Sequence, residues 1–219
     1  MALSEQLRSA ADEIWQAQHA HPFVRGLGDG SLEPERFRFW IRQDYVFLVE
    51  YARLLALAAA RSPDLETMTR FAGLLHETLN EEMALHRSYS AELGIDPGAL
   101  EREEPAPTTR GYADFLLRSA AVGDFAELLV ALLPCMWGFN EIGLRLAADG
   151  AHDRYASWVR MYSSAEFGDL VGWLRELTDR YTWSAGLERV FLASSRYELA
   201  FWEMAWQQES WPSLTQPGG

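Results

Sequence analysis

The chain has 219 residues, and 19 basic residues against 32 acidic ones give it a formal net charge of −13 at pH 7. This acidic balance argues against nucleic acid and anionic membranes as partners, because both need a basic surface. Every basic residue is an arginine, which excludes lysine Schiff-base chemistry and the lysine of a P-loop. The single cysteine, Cys135, excludes an internal disulfide.

The start of the chain gives no sign of a signal peptide. The run MALSEQLRSAADEIW is charged within its first eight residues and has no apolar core. The most apolar stretch, Leu54 to Ala60, is far shorter than the roughly 20 residues that a membrane span needs. We therefore expect a soluble, cytoplasmic protein with no membrane partner.

Apolar residues recur at helical spacing along the chain, and we find no alternating pattern typical of strands. Glycines and prolines mark the breaks between helices, with Gly94 and Gly150 just after helix ends and Asp124 as an N-cap. In chain order the pattern predicts a helix over 3–15, a turn-rich run over 26–31, helices over 34–60 and 64–93, a loop over 96–109, and helices over 112–122, 125–148, 155–162, 165–181 and 187–208.

These elements predict an all-α bundle of about eight helices that forms one domain over residues 1–210. The helix over 34–60 carries so many aromatic residues that we expect it to be central and buried on several sides. The last residues, 211–219, form a Pro/Gly-rich tail that we expect to be mobile.

Cys135 follows Pro134 inside an apolar helical pattern, ALLPCMWGFNEIG. A proline inside a helix bends the chain and can turn a neighbouring side chain toward a cavity. The nearest ionisable residues in the sequence are Glu127 and Glu141, more than one turn away. Local sequence alone therefore favours a buried core cysteine, and a catalytic thiolate would need a partner that folding brings to it.

Two carboxylates stand among apolar and aromatic residues. Asp44 interrupts the run FRFWIRQDYVFL, and Glu198 lies one turn before Trp202 in SSRYELAFWEMAW. Burying a carboxylate costs free energy unless it is paired or hydrogen-bonded, so each is either a satisfied structural residue or part of a site. Glu203 lies on a different helix face from Glu198 and is expected to face solvent.

Glu82 and His86 are four residues apart and share a helix face, a spacing that could supply half of a di-iron site. None of the other histidines sits in a second pair of this kind. A structural ion pair or hydrogen bond is therefore the stronger interpretation, and we expect neither a metal nor another cofactor.

Aromatic residues are abundant, with nine Trp, eight Tyr and eleven Phe. Aromatic walls with a few polar groups suit a flat heteroaromatic ligand that is neutral or cationic. The chain has neither a glycine-rich phosphate loop nor a Gly-x-Ser-x-Gly elbow, so nucleotide binding and a serine nucleophile are without support.

Several segments in order resemble the thiaminase II (TenA-type) family across residues 4–206. They are HPFVRGLGDGSL, FWIRQDYVFLVEYARLLALAAA, EEMALH, ALLPCMWGFNEIG, YASWVRMYSSAEF and SSRYELAFWEMAW. The resemblance implies the cysteine-containing class of the family, a haem-oxygenase-like helical fold without haem, and assembly as a homotetramer.

The same resemblance implies hydrolysis of 4-amino-5-aminomethyl-2-methylpyrimidine to the 5-hydroxymethyl compound and ammonia, and cleavage of thiamine. Cys135 matches the family nucleophile, which adds to C6 of the pyrimidine. Glu198 matches the carboxylate that handles the proton of a ring nitrogen. Asp44 matches the residue that binds the 4-amino group. The aromatic residues that match the pocket walls are Phe47, Tyr112, Phe139 and Tyr162.

Phe139 departs from the family pattern, which commonly has tyrosine there, and Phe47 replaces a tyrosine found in several members. A different 5-substituted aminopyrimidine is therefore an alternative substrate. A non-catalytic pyrimidine-binding or regulatory protein of the same fold is a second alternative, and a metal-dependent oxidase that uses Glu82 and His86 is a third.

Overall fold

The computed structural model describes residues 1–212, except for the side chains of Glu81 and Leu85. Within that range every regular element is helical, which confirms the all-α prediction. A π-helical turn, Thr78–Glu82, joins α5 to α6, and a 3-10 turn, Asp153–Tyr155, precedes α10. The α-helices are α1 (Leu3–Ala10), α2 (Asp12–His19), α3 (Pro22–Asp29), α4 (Pro34–Arg61), α5 (Leu65–Glu77), α6 (Met83–Glu92), α7 (Pro97–Leu100), α8 (Pro107–Val122), α9 (Phe125–Asp149), α10 (Ala156–Tyr162), α11 (Ala165–Thr178) and α12 (Ala185–Gln207).

The described chain has twelve α-helices where the sequence predicts about eight, and short helices account for the difference. The helix predicted over 3–15 is two helices, because the backbone at Ala11 leaves helical geometry with φ −95° and ψ 5°. Pro22 occupies the first position of α3, and the His21 ring caps that helix by accepting a hydrogen bond from the Phe23 N–H at 3.2 Å.

The glycine run after His21 does not break the helix where the sequence predicts a turn. α3 continues through Gly26 and Gly28 and ends at Gly30, where φ is 77°. A Cβ on Gly26 would lie 2.8 Å from the backbone nitrogen of Leu32, so this glycine permits the chain to fold back closely. The prediction for residues 26–31 is therefore wrong for the first four positions.

α4 is central, as its aromatic content predicts. It packs against α5, α6, α8 and α12. Trp40 of α4 stacks on Trp202 of α12, with ring centroids 6.1 Å apart and planes inclined by 12°. Its buried aromatic side chains are Phe37, Phe39, Trp40, Tyr45, Phe47 and Tyr51.

α9 is the second central helix and packs against α8, α10, α11 and α12. It begins, as predicted, at Asp124, whose carboxylate accepts a hydrogen bond from the Glu127 N–H at 2.8 Å. By length and composition α9 could cross a membrane, with a mean hydropathy of 1.3 over its most apolar stretch, but 78% of that stretch is buried inside the bundle. Burial to this extent is typical of a core helix.

The helix predicted over 64–93 is continuous but changes its pitch. α5 and α6 are joined by the π-helical turn, and Gly94, with φ 73°, follows the end of α6. Such turns are frequent at functional sites because they move side chains out of the α-helical register. Thr78 and Glu82, at the two ends of this turn, both line the cavity described below.

The predicted loop over 96–109 contains α7 and the first turn of α8. The side chain of Gln43 holds this segment against α4. Its Oε1 accepts hydrogen bonds from the Ala106 N–H and the Thr109 hydroxyl, both at 2.8 Å, and its Nε2 donates to Glu103 Oε1 at 3.0 Å. These bonds anchor the part of α4 that carries Asp44. Residues 213–219 of the predicted tail lie outside the described range.

Candidate active site

A cavity of about 480 Å³ lies between α4, α5, the π-helical turn and helices α8 to α12. A volume of this size is ordinary for a small-molecule site. All seven side chains that the sequence predicts for the site line it, although they come from five different helices: Asp44, Phe47, Tyr112, Cys135, Phe139, Tyr162 and Glu198.

Cys135 lies on α9 directly after Pro134 and is exposed only in part. Burial raises the pKa of the Cys135 thiol well above its usual value, and the negative charges of Glu198, Asp44 and Glu82 raise it further. The thiol is therefore neutral at rest, and a thiolate forms only when a neighbouring base accepts its proton.

Glu198 is the carboxyl best suited to be that base. It lies on α12, is only 2% exposed, and accepts a hydrogen bond from the Tyr112 hydroxyl. Burial raises the pKa of Glu198 to about 7, while hydrogen bonds from Tyr112 and Cys135 act in the opposite direction. A group with a pKa near neutrality exchanges a proton readily in both directions.

Tyr112 is itself held in place. Its hydroxyl lies 3.2 Å from Ser194 Oγ, which donates a hydrogen bond to the carbonyl of Ala131 at 2.6 Å. Because Ala131 lies one turn before Cys135 on α9, these contacts fix the position of Glu198 relative to the helix that carries the thiol.

Asp44 is buried and pairs with His86, with 3.1 Å between Oδ2 and Nε2. Burial lowers the pKa of His86, but the hydrogen bond to Asp44 and the charges of Asp44 and Glu82 outweigh it and raise the pKa above its usual value. The raised pKa favours the imidazolium form of His86, which donates a hydrogen bond to Asp44.

Glu82 is a third carboxyl in the cavity. Burial raises the pKa of Glu82 to about 7, and the charge of Asp44 also raises it, whereas His86 and a hydrogen bond from Thr78 act to lower it. The sequence pairs Glu82 with His86 as possible metal ligands. Among the described residues, no group of three or more His, Cys, Asp or Glu side chains is arranged to hold a metal ion.

The cavity walls are aromatic, as the composition predicts. Phe47 stacks on Tyr112 with ring centroids 5.1 Å apart, and Phe139 packs on Tyr162 at 4.9 Å. A Cβ on Gly143 would lie 2.7 Å from the backbone of Tyr162, so this glycine lets α10 approach α9 closely.

Tyr51 and Glu82 are among the polar cavity residues that were not predicted as pocket residues. Tyr51 donates a hydrogen bond to the sulfur of Met136 at 2.8 Å. Its spacing from Asp44 and Phe47 places all three on one stripe of α4, which is the signal that identifies it. Glu203 is exposed, as predicted, and lies 3.0 Å from the ring of His21.

Known proteins resemble this chain over nearly its full length. A protein of Halalkalibacterium halodurans named aminopyrimidine aminohydrolase is 44% identical over 96% of this chain and 98% of its own length. A protein of Bacillus subtilis with the same name is 37% identical over 96% of this chain and 92% of its own length.

Solved structures resemble it as well. A TenA homologue from P. horikoshii OT3 superposes with a TM-score of 0.89 at 33% identity, over 94% of this chain and 99% of the other. A domain of haem-oxygenase-like fold from Shewanella denitrificans OS217, 15% identical over 95% of this chain and 93% of its own, gives 0.72, which confirms the predicted fold class. The model of the TENA/THI-4/PQQC family matches residues 8–208, and the chain belongs to this family.

Proposed function

We propose that the protein is an aminopyrimidine aminohydrolase of thiamine salvage. It hydrolyses 4-amino-5-aminomethyl-2-methylpyrimidine to 4-amino-5-hydroxymethyl-2-methylpyrimidine and ammonia, and it cleaves thiamine to the same pyrimidine and the thiazole. The observation that carries this proposal is a lone thiol, Cys135, facing a buried carboxyl, Glu198, in an aromatic cavity. The name of the relatives from H. halodurans and B. subtilis supports it.

The walls of the cavity bind the flat pyrimidine ring. Phe47, Tyr112, Phe139 and Tyr162 supply aromatic faces that pack against it. Asp44 accepts a hydrogen bond from the 4-amino group, and His86, 3.1 Å away, orients the Asp44 carboxyl for that purpose. This arrangement selects a ring that carries a hydrogen-bond donor at position 4.

Bond formation begins with the thiol of Cys135. Glu198 accepts the S–H proton and delivers it to N1 of the ring as the sulfur adds to C6, so that aromaticity is lost. The lone pair of the 4-amino nitrogen then forms a double bond to C4, the C4–C5 electrons form a bond to the exocyclic methylene, and the amine leaves. Asp44 stabilises the positive charge that develops on the 4-amino nitrogen.

Water completes the reaction. It adds to the methylene, the electrons return to the ring, and loss of the N1 proton expels the sulfur from C6. Two protons are released, one from N1 and one from the water. Glu198 returns one to the sulfur of Cys135, and the other leaves with ammonia as ammonium.

We further propose that the chain belongs to the cysteine-containing class of its family and forms one domain over residues 1–210. It acts in the cytoplasm as a homotetramer, without a cofactor and without nucleic acid or membrane as a partner. The resemblance to the family supports the tetramer, and the net charge of −13 supports the absence of anionic partners. Analytical ultracentrifugation tests the assembly directly.

The test of the activity is product formation from the aminomethylpyrimidine, with thiamine in parallel, by the wild type and by Cys135→Ser. We expect the hydroxymethylpyrimidine from the wild type alone, with pyrimidine binding retained in the variant. Full activity in Cys135→Ser would end the covalent mechanism. If neither substrate gave product with folded wild-type protein, the proposed activity would be wrong.

A further inference from the structure

The proposed reaction uses two carboxyl groups of the cavity, Asp44 and Glu198, and leaves a third, the half-buried Glu82, without a role. Asp44 binds the 4-amino group and Glu198 moves the proton of the ring nitrogen. Glu82 nevertheless lines the same cavity, and the hydrogen bond from Thr78 orients its carboxyl. A carboxylate in an apolar cavity costs free energy unless it is paired, so a cationic group of the bound substrate would stabilise it.

Glu82 lines the cavity together with Asp44 and Cys135. It stands one helical turn before His86, whose ring is 3.1 Å from Asp44, so the turn that carries Glu82 adjoins Asp44. Burial is the main cause of the raised pKa of Cys135 and of Tyr162, and the charge of Glu82 adds to it in both. The Glu82 carboxylate is therefore within electrostatic reach of the thiol and of Asp44, in the cavity that all three side chains line.

The order of atoms around the pyrimidine ring indicates which substituent of the substrate lies near Glu82. When the 4-amino group binds Asp44 and C6 faces Cys135, position 5, which lies between C4 and C6, points to the space between those two residues. The substituent there is cationic in both proposed substrates, an ammonium in the aminomethyl compound and a thiazolium in thiamine. Among the described residues the cavity lining contains acidic side chains and no arginine, and the nearby His86 is paired with Asp44, so the lining favours a cation.

We propose that Glu82 is the binding group for the cationic 5-substituent, so that this cavity selects aminopyrimidines with a positively charged leaving group over neutral ones. The inference rests on the proposed function and names the part of the substrate that this carboxylate recognises. The π-helical turn contributes by placing Glu82 out of the α-helical register, beside the ring position where the leaving group departs.

The test compares two ligands that differ only at position 5, the cationic aminomethyl compound and the neutral hydroxymethyl compound. Dissociation constants are measured by calorimetry at about pH 7.5, with Cys135→Ser as the parent protein so that no turnover occurs. Glu82→Gln removes the charge and keeps the shape of the side chain. Glu77→Gln is the matched control, because Glu77 borders the same cavity but is exposed.

We expect Glu82→Gln to weaken binding of the aminomethyl compound by about tenfold or more and to change binding of the hydroxymethyl compound by less than about threefold. Glu77→Gln should leave the ratio of the two constants within about threefold of the parent value. Glu82→Asp keeps the charge and should keep the preference for the cation, which provides the test if the glutamine variant does not fold.

An equal loss for both ligands, or no loss for either, would overturn the role of Glu82 while leaving the proposed hydrolase intact. If the parent protein bound neither pyrimidine, the proposed function would fail and the inference would fall with it. Circular dichroism on each variant separates loss of the binding group from loss of the fold.

Discussion

Replacing Tyr112 by phenylalanine tests whether Glu198 is the proton acceptor of the reaction. The Tyr112 hydroxyl donates a hydrogen bond to the Glu198 carboxylate and lowers its pKa against the effect of burial. A hydrogen bond to a charged group contributes about 1.5–3 kcal/mol. Since one pKa unit corresponds to about 1.4 kcal/mol, loss of the hydroxyl should raise the pKa of Glu198 by roughly one to two units, from about 7 to about 8–9.

The sign of the effect on activity follows from the state of the thiol. Burial and three carboxylates keep Cys135 neutral, so the active form of the enzyme needs an ionised Glu198 to accept its proton. Activity therefore falls as the pH drops through the pKa of Glu198. In Tyr112→Phe the acid limb of the pH profile of kcat/KM should move to higher pH by the same one to two units.

Tyr51→Phe is the control for this experiment. Tyr51 is also buried on the cavity wall, but its hydroxyl bonds to the sulfur of Met136 rather than to Glu198. Glu82, whose pKa is also about 7, is unchanged in both variants, so the difference between the two profiles reports on Glu198. An acid limb that stays in place in Tyr112→Phe, or that moves equally in both variants, would refute the reasoning.

Two further predictions concern stability and turnover. The pKa of Glu198 rises from about 4.5 in the unfolded chain to about 7 in the fold, so its ionisation costs nothing below pH 4.5 and up to about 3 kcal/mol above pH 7. Glu198→Gln should therefore raise the free energy of unfolding by about 3 kcal/mol at pH 8 and by less than about 1 kcal/mol at pH 5, as measured by urea denaturation; equal shifts at both pH values would contradict this. Phe139→Tyr adds a hydroxyl one turn from Cys135 and should raise kcat, whereas an unchanged kcat would make the departure from the family tyrosine inconsequential.

The long helices could be predicted from the sequence because their apolar spacing is regular and their ends carry ordinary signals. Asp124 and Gly94 behave as their residue types predict. The short helices could not, because a segment such as α3 depends on contacts distant in the sequence. From the sequence, Gly26 is expected to break a helix. In the structure it lies inside α3, where the close approach of Leu32 leaves no room for a Cβ.

The seven predicted residues meet in one cavity, but their electrostatic arrangement could not be predicted from the sequence. Cys135 has no ionisable neighbour within a turn, so its surroundings depend on Glu198, which lies 63 positions later in the chain and reaches the cavity from α12. Glu82 was visible only as the partner of His86 at helical spacing. The π-helical turn that places it in the cavity has no signature in the apolar pattern.

The cavity contains several acidic groups in a protein that already has a net charge of −13. Burying carboxyl groups costs free energy, which favours a functional role for them. Burial holds the pKa of both Glu82 and Glu198 near 7, where each can be neutral or charged without a large change in free energy. Asp44 differs in its direct pairing with a histidine, His86, at 3.1 Å. This contrast supports the two proposed roles: a carboxyl held by a histidine suits recognition of the 4-amino group, and a carboxyl with a pKa near 7 suits a proton that must move both ways in each turnover.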